Sequence, residues 1–322
     1  MSDASFFTVA WLRQLPQAIE LAASLARVYP GQCLHVGLVD STENLPENLP
    51  ENLRIHPVAS IKLPDFNGLI QKYSQTEFRN LTKPFFAKYL LDTFPDTTQL
   101  IYLSPESVVL APLDTLLRAL NTHAIALVSQ LTVPPNGRNL ATEGHFLNVG
   151  TYDAGLWGVR RGGVASSFLS WWAASLHQRG WLRLCQGYGS DQLWLDLVPA
   201  FFDEVLLIRQ PDYVLRIAYG LRANVAGSTV VVNFEGIDPD TWPTPDRVLS
   251  KEVKNRIAEY RHRVNSRAIH QTTRKIAPAF GTADPSPPAP LWRRQLARPV
   301  RWFIQFIDKF QPDFLSENAT QS

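Results

Sequence analysis

Short apolar runs alternate with segments of helical periodicity along most of the chain. Residues 6–10 (FFTVA) form an apolar run that is typical of a buried strand, and residues 17–27 repeat apolar positions at helical spacing. Tyr29-Pro30-Gly31 ends this helix, and a second buried strand is predicted over residues 33–39. Strand, helix and strand in this order predict a βαβ unit at the start of a parallel sheet.

The same alternation continues to about residue 270. Residues 66–94 are predicted to be helical, with a helix starting at Lys83-Pro84, because proline is favoured in the first turn. Helices are also predicted over residues 166–178 and 250–269. Further buried strands are predicted at residues 99–103, 108–110, 124–128, 156–159, 205–209 and 229–234. The predicted fold class is α/β, with a mostly parallel open sheet flanked by helices.

Two proline-containing segments interrupt the pattern. Residues 43–53 read ENLPENLPENL, and proline at this spacing prevents a regular helix or strand, so a surface loop is predicted. Residues 283–290 (ADPSPPAP) are typical of an extended linker. We therefore predict a single domain over residues 1–270, a Pro-rich linker over 271–290 and a C-terminal helical extension over 291–322.

The predicted extension begins LWRRQLARPVRWFIQFIDKF, in which four arginines are interleaved with Trp and Phe. A basic, aromatic helix of this kind can lie in a membrane interface, so one interpretation is membrane-surface contact through residues 291–310. The alternative is that the segment packs against the domain or mediates oligomerisation, since Pro299 interrupts any single long helix.

The charge balance narrows the classes of function. The chain has 31 Lys and Arg against 29 Asp and Glu, a net charge of +2, and this argues against a protein built to bind nucleic acid. We expect no nucleic-acid partner. The charge is unevenly distributed, because residues 246–322 hold 14 Lys and Arg against 7 Asp and Glu. The preceding 245 residues are mildly acidic.

The location is predicted from what the N-terminus and the cysteines show. Residues 1–12 (MSDASFFTVAWL) lack the basic region of a secretory signal, and no apolar run approaches the ~20 residues that a membrane span needs. Cys33 and Cys185 are interpreted as buried thiols in a reducing compartment. We expect a cytoplasmic protein, peripheral at the inner face of the membrane if residues 291–310 bind lipid.

The end of the predicted strand at residues 99–103 carries the candidate chemistry, since ligands of open α/β sheets bind beyond the carboxyl ends of strands. A nucleotide-sugar transferase needs two carboxylates one residue apart at such a position. They hold a divalent cation, which neutralises the diphosphate leaving group. Here the sequence reads Leu103-Ser104-Pro105-Glu106, so a single carboxylate is present.

Nine short segments follow one another in the order that is found in a known family, over residues 5–265. They are Thr82-Lys83-Pro84, residues 101–106, Pro112-Leu113, residues 147–155, residues 159–161, residues 168–172, residues 190–199, residues 209–213 and residues 233–236. Together they resemble bacterial glycosyltransferases of the A-type (GT-A) fold, of the family-8-like kind, which carry a Tyr-Leu-Asp-Pro-Asp signature. The resemblance implies a nucleotide-diphospho-sugar transferase fold and a nucleotide-sugar donor as partner.

The resemblance also implies roles for single residues. Asp191 and Gln192 match an Asp-Gln pair that faces the reacting sugar, which makes them the candidate catalytic residues. Lys83 matches a basic residue near the donor phosphates, where an ammonium acts as a point charge. Asn148 and Gly150 match a loop that lies against the donor sugar. By the same match, three further residues complete the candidate donor-binding set: Ser104, Asp153 and Gly236.

The residues themselves allow simpler interpretations of two of these positions. Lys83 can be a solvated lysine at a helix start. Asp191 can be the N-cap of a short helix over residues 192–197, because aspartate is favoured at that position.

The candidate metal site departs from the family pattern. The two signature aspartates are Ser104 and Glu106 here, and a late histidine that is a metal ligand in relatives is Asn233. Glu106 and Asn233 are thus the candidate metal ligands, and neutral oxygen ligands lower the affinity for a hard cation. Either manganese or magnesium binds weakly at this position, or Lys83 and Arg216 supply the positive charge in place of a metal.

Other departures lie at Gln130, where many relatives have a histidine, and at Asp153, where an asparagine is expected. Two functions remain open. The first is a hexosyltransferase-type glycosyltransferase that moves a sugar to a glycan, lipid or protein, and the retained Asp191-Gln192 pair favours it. The second is a degenerate member of the fold that binds a nucleotide, a glycan or a partner protein without turnover, and the loss of metal ligands favours it.

Overall fold

The computed structural model describes residues 4–130, 146–210, 213–217, 229–236, 251–284 and 299. The chain divides into two compact units, Met1–Ala283 and Asp284–Ser322, and the elements below belong to the first. Residues 285–290 and the C-terminal extension, apart from Pro299, lie outside the described residues. The predicted boundaries at residues 270 and 290, and the membrane contact of residues 291–310, stay predictions.

Strands within the described residues form three sheets. They are β1 Ala4–Ala10, β2 Leu34–Leu38, β3 Leu53–Pro57, β4 Gln99–Leu103, β5 Ser107–Val109, β6 Ile125–Ser129, β7 Tyr152–Arg160, β8 Leu182–Arg183, β9 Tyr188–Gly189, β10 Val205–Ile208, β11 Val214–Arg216 and β12 Val231–Asn233. The central sheet has seven strands in the order β10-β6-β7-β4-β1-β2-β3. β7 is antiparallel to both of its neighbours, and the remaining pairs are parallel. The predicted mostly parallel open sheet is confirmed.

Helices cover both faces of the central sheet. They are α1 Leu15–Val28, α2 Phe66–Lys72, α3 Gln75–Thr93, α4 Asp114–Thr122, α5 Gly163–Arg179, α6 Val198–Phe201, α7 Lys251–Asn265 and α8 Ala268–Thr273. Successive strand residues point to opposite faces, so Phe7 packs into the core under α3 and α5, whereas Phe6 packs into the core under α1 and α4. Both phenylalanines are fully buried. None of the described helices is both long and apolar enough to cross a bilayer.

A second sheet has three strands in the order β11-β12-β5. Its strand β5 follows β4 in the chain, whereas β11 and β12 come from residues 214–233. β12 is antiparallel to β5 and parallel to β11. Four of the described strands were not predicted: β3, β8, β9 and β11. β11 is only three residues long and is followed by residues outside the described part, but it matters because it carries Arg216.

The predicted helix start at Lys83-Pro84 is wrong. α3 begins at Gln75, where the hydroxyl of Ser74 accepts from the Glu77 amide and the Glu77 carboxylate accepts from the Ser74 amide. In this capping box the side chain of each residue bonds the backbone amide of the other, which satisfies two amides of the first turn. The helix therefore starts nine residues before Pro84. Pro84 lies inside the helix, and Lys83 is only 5% exposed.

The last described residues of the first unit fold back onto it. The Ala279 amide donates to the Asp40 carboxylate, and Thr282 pairs with Ser74 as an isolated β-bridge. Phe280 packs edge-on against Phe66. Part of the segment predicted as a linker therefore contacts the domain.

Candidate functional site

A pocket opens at the carboxyl edge of the central sheet, where β1 and β4 both end. Ser104 follows β4 directly, and the antiparallel β7 brings Ala154 and Gly155 to the same edge. Open α/β sheets bind ligands at this edge. The pocket is lined by Arg79, Asn80, Lys83, Ser104, Ala154, Gly155, Asp191, Gln192, Arg216 and Glu235. Six charged residues at or directly behind this lining are called the ion-pair cluster below: Arg79, Lys83, Asp153, Asp191, Arg216 and Glu235.

α3 supplies two of the cations. Arg79 and Lys83 are four residues apart and therefore lie on the same face of the helix. The Lys83 ammonium donates to the Asp191 carboxylate at 2.5 Å and to the Ala154 carbonyl at 3.3 Å. Burial lowers the pKa of Lys83, but the Asp191 carboxylate outweighs this effect and the pKa lies above its ordinary value. Lys83 is therefore a buried, charged side chain and not a solvated lysine at a helix start.

Asp191 is held in the pocket by its surroundings. The Asn80 amide donates to the Ser190 hydroxyl at 3.1 Å, and the Trp172 indole donates to the Asp191 carbonyl at 3.3 Å. The 3-10 helix that follows, Leu193–Leu197, has no side-chain cap. The carboxylate of Asp191 is therefore not a helix cap but the partner of Lys83.

Arg216 reaches the pocket from β11 and is clamped by Asp153. Its Nε donates to Asp153 Oδ2 at 2.9 Å and its Nη2 donates to Asp153 Oδ1, so the contact is bidentate. Asp153 is 1% exposed. A Cβ on Gly155 would lie 2.9 Å from Arg216 Nη2, so the absence of a side chain at Gly155 makes room for the guanidinium. Arg216 Nη1 also faces the Gln192 side-chain oxygen at 3.5 Å.

Arg79 is the most loosely paired of the three cations. It is 6% exposed, stacks over the Trp11 ring at 4.6 Å, and lies 3.8 Å from Glu106 and 3.7 Å from Glu235. These are ion-pair distances and are too long for hydrogen bonds. Burial lowers the pKa of Arg79, but Glu106 and Glu235 outweigh it and the pKa is raised. Within the described residues, its buried Nε has no hydrogen-bond partner.

Glu235 lies between two of the cations at the mouth of the pocket. Its carboxylate is 3.7 Å from Arg79 and 3.9 Å from Arg216, and its side chain is 44% exposed. Burial raises the pKa of Glu235, but Arg216 and Arg79 outweigh this effect, so the pKa lies below its ordinary value and the carboxylate is charged at neutral pH.

The candidate metal ligands do not form a cation site. Glu106 accepts from the Ser104 hydroxyl at 2.8 Å and from the Gln14 amide, and it faces Arg79. The side-chain oxygen of Asn233 already accepts from the Glu235 amide at 2.8 Å. No group of three or more His, Cys, Asp or Glu within the described residues could hold a metal. The predicted donors are thus occupied by hydrogen bonds and lie beside guanidinium groups, which repel a divalent cation, so these residues do not fit a metal.

Of the other predicted donor-binding residues, some lie next to the pocket and others lie outside its lining. Gly150 has a φ of +105°, and a Cβ there would lie 3.2 Å from the Gln192 carbonyl, so its loop rests against Gln192. The Gln192 amide donates to the Val149 carbonyl at 3.0 Å. Asn148 is exposed and does not line the pocket, and Gly236, with a φ of +79°, follows Glu235 outside the lining. The structure therefore brings Lys83, Ser104, Asp191 and Gln192 together, and places Asp153, Glu106 and Asn233 directly behind them.

Sequence reasoning missed Arg79, Asn80 and Glu235 as site residues. Arg79 carried one usable signal, because it precedes Lys83 by four residues on a helix and so shares its face. Glu235 lies inside the Asn233–Gly236 segment that the resemblance includes, but nothing in that segment shows which cation it would meet.

No protein-family model matches the sequence, and no curated protein matches it either. Solved structures similar to this chain include a complex of the galactosyltransferase LgtC with donor and acceptor sugar analogues, at 15% identity and a TM-score of 0.48. The match covers 80% of this chain and 95% of LgtC. Mouse xyloside xylosyltransferase 1 is 12% identical, with a TM-score of 0.45 and coverage of 72% and 98%. A glycosyltransferase involved in glycosylation of the major capsid of PBCV-1 is 8% identical, with a TM-score of 0.46 and coverage of 81% and 98%.

Proposed function

We propose that this protein is a GT-A-type, family-8-like glycosyltransferase that transfers a hexosyl group from a nucleotide-diphosphate sugar to a glycan, lipid or protein acceptor. The observation that carries the proposal is the convergence of Arg79, Lys83 and Arg216 with Asp191 and Gln192 in one pocket at the carboxyl edge of the sheet. A cytoplasmic location, with membrane contact through residues 291–310, belongs to the same proposal.

The chemistry follows from the charges. Transfer of a sugar from such a donor leaves a diphosphate, whose negative charge grows as the glycosidic bond breaks. Fixed cations that already face this position stabilise the developing charge without reorganisation. The pocket presents the ammonium of Lys83 and the guanidinium of Arg216, each held by a buried carboxylate. The charge that a metal supplies in related transferases is thereby available from side chains.

Asp191 and Gln192 are proposed to bind the donor sugar. The Asp191 carboxylate is an acceptor for sugar hydroxyls, and one of its oxygens is already oriented by Lys83. The Gln192 side chain is oriented by two contacts, to the Val149 carbonyl and to Arg216. Both side chains line the same pocket as the cations, which keeps the sugar next to the leaving diphosphate.

The alternative is a protein that binds nucleotide or glycan without turnover. One observation favours it: every cation of the ion-pair cluster already faces a carboxylate of the same cluster, so part of the pocket is neutralised before any ligand binds. Binding is common to both functions, whereas turnover depends on the sugar-facing residues. A variant of Asp191 therefore separates them.

The decisive experiment compares wild type with Asp191→Asn. Uridine- and guanosine-diphosphate sugars are incubated with the protein, and release of nucleoside diphosphate is measured with and without acceptor glycans. Wild type is expected to release nucleoside diphosphate, and Asp191→Asn is expected to lose at least ~100-fold of this rate. Its affinity for uridine diphosphate should remain, because asparagine still offers Lys83 an oxygen. Asp92→Asn makes the same chemical change at an exposed position near the end of α3, outside the pocket, and is the control.

Three results would decide against the proposal. Equal turnover by Asp191→Asn removes this residue from the reaction. Nucleotide binding without release of diphosphate from any sugar donor supports the alternative function. A melting temperature that no nucleotide or nucleotide sugar shifts excludes the transferase and leaves glycan binding as the form of the alternative still to be tested.

A further inference from the structure

The three cations of the pocket differ in how firmly the protein holds them. Lys83 is bonded to Asp191 at 2.5 Å, and Arg216 makes a bidentate contact with Asp153. Arg79 has no comparable partner, because its two carboxylates lie at 3.7 and 3.8 Å. Its closest side-chain acceptor is the Asn80 amide oxygen, at 3.4 Å. Arg79 is therefore the cation with the greatest unused hydrogen-bonding capacity.

This capacity is unusual for a buried guanidinium. An arginine carries five N–H donors, and a buried donor without a partner destabilises the folded protein. Arg79 is 6% exposed, its Nε has no partner within the described residues, and its guanidinium lines the pocket. The group lies over the Trp11 ring at 4.6 Å, and its backbone belongs to helix α3. A buried guanidinium that lines a pocket and whose nearest carboxylates lie 3.7 and 3.8 Å from its Nη atoms is suited to a multidentate anion such as a phosphate.

Glu235 occupies the position that such an anion would take. Its carboxylate lies between Arg79 and Arg216, at ion-pair distance from both. The backbone beside it is anchored, since the Glu235 amide donates to Asn233 and the buried Phe234 ring stacks on Tyr260 at 4.0 Å. The Glu235 side chain is 44% exposed, so it can turn into solvent while the backbone stays in place.

We propose that Arg79 is the principal anion-binding group of the pocket, that it binds the donor's diphosphate without a divalent cation, and that Glu235 fills this position until the diphosphate displaces it. The identification of the anion as the donor's diphosphate rests on the function proposed above. Displacement exchanges one anion between Arg79 and Arg216 for another, so the pocket is never left with unpaired cations. The predicted metal ligands cannot do the same work, because Glu106 and Asn233 are already bonded.

The proposal predicts opposite effects for two substitutions. Glu235→Gln removes the competing charge and should tighten binding of uridine diphosphate and of inorganic pyrophosphate by about 2- to 10-fold, as expected for a partly exposed ion pair. Arg79→Gln removes the anion-binding group and should weaken both by at least ~10-fold. Isothermal titration calorimetry in EDTA measures the affinity for both ligands. In a second titration without EDTA, saturating manganese should change these affinities by less than about 3-fold.

An exposed ion pair elsewhere in the fold offers matched controls. Glu204 is 46% exposed and pairs with Arg160 at 2.9 Å, outside the pocket. Glu204→Gln and Arg160→Gln make the same chemical changes as the two test variants and should leave both affinities unchanged. If Arg79→Gln does not fold, Arg79→Lys keeps the charge, loses the planar guanidinium, and should weaken pyrophosphate binding about 3- to 10-fold.

Several results would overturn the proposal. They are binding that requires manganese, an Arg79 variant with the affinity of wild type, weaker binding by Glu235→Gln, and no binding of either ligand. These results are distinct from a failure of the proposed function. Pyrophosphate binding as predicted, together with no release of nucleoside diphosphate from any donor, retains the anion site and rejects the transferase. Transfer that depends on manganese and not on Arg79 retains the transferase and rejects this site.

Discussion

Two groups of buried titratable side chains lie on or beside the central sheet. The side chains of one group are charged, and those of the other are neutral at pH 7. The ion-pair cluster lies at the carboxyl edge of β1 and β4, and its cations are held charged by neighbouring carboxylates. The second group is a histidine pair, His35 on β2 and His56 on β3. The two rings stack at 5.2 Å, and His35 Nδ1 lies 3.0 Å from His56 Nε2.

The surroundings explain the difference. The histidine pair is enclosed by Phe86, Tyr89 and Phe94, with no carboxylate among its contacts in the described residues. Burial, the neighbouring His56 and Arg54 lower the pKa of His35 to about 4, so the ring is neutral at pH 7. Burial and Arg54 also lower the pKa of His56. Burial without an opposite charge shifts the pKa of a group towards its neutral form. A group paired with an opposite charge stays charged and can bind an ion.

Removal of Asp153 should have the largest effect on stability. Asp153→Ala leaves the 11%-exposed Arg216 guanidinium without its bidentate partner, which is expected to lower the free energy of unfolding by about 3–5 kcal/mol. Urea denaturation measures the change. Glu204→Ala, which breaks the exposed pair with Arg160, should cost less than ~1 kcal/mol. If both variants cost the same, the ion-pair cluster is no more strongly coupled than a surface pair.

The histidine pair should set an acid limit to stability. In the unfolded chain His35 takes up a proton below about pH 6.5, but in the folded protein only near pH 4. At pH 7 His35 is mostly neutral in both states, so this effect on stability is absent. Between pH 6.5 and pH 4 the free energy of unfolding falls by about 1.4 kcal/mol per pH unit, which amounts to ~2 kcal/mol by pH 5. His35→Gln should remove this part of the pH dependence, as measured by urea unfolding at pH 7 and pH 5.

The control for this experiment is His262→Gln, since His262 is exposed on α7. It should leave the difference between pH 7 and pH 5 unchanged. A wild type that is equally stable at both pH values would show that the histidine pair does not behave as a neutral, uncompensated group.

Gly155→Ala should have the smallest effect on stability but a measurable one on binding. The new Cβ would lie 2.9 Å from three side-chain ends, those of Arg216, Asn233 and Asp153. These ends are largely buried, and those of Arg216 and Asp153 are bonded to each other, so making room for the Cβ should lower the free energy of unfolding by about 1 kcal/mol. The displaced Arg216 should weaken pyrophosphate binding about 3-fold, as measured by calorimetry. Gly163→Ala adds a Cβ in open space and should change neither quantity appreciably.

Much of the fold could be predicted from local pattern, and the exceptions have local causes. The strand at residues 99–103 matches β4, because Gln99 is followed by four consecutive apolar residues that are favoured in the core. The start of α3 was misplaced because Pro84 gave a stronger local signal than the Ser74–Glu77 capping box. β11 was missed because only two of its three residues are apolar and the third, Arg216, is charged. Asp191 and Gln192 were found by resemblance, and the structure places both in the pocket.

The partners of the charged residues could not be predicted from the local sequence pattern. Lys83 and Asp191 are 108 residues apart, and Asp153 and Arg216 are 63 apart, so no local spacing relates them. The sequence by itself determined the alternation of strands and helices, and with it the sheet edge at which a site would form. Only the tertiary structure decided which cation pairs with which carboxylate, that Glu106 and Asn233 are already hydrogen-bonded, and that Arg79 has only long ion pairs. Apolar periodicity acts between neighbours in the chain, whereas the energy of a buried charge depends on what the whole fold places within a few ångströms of it.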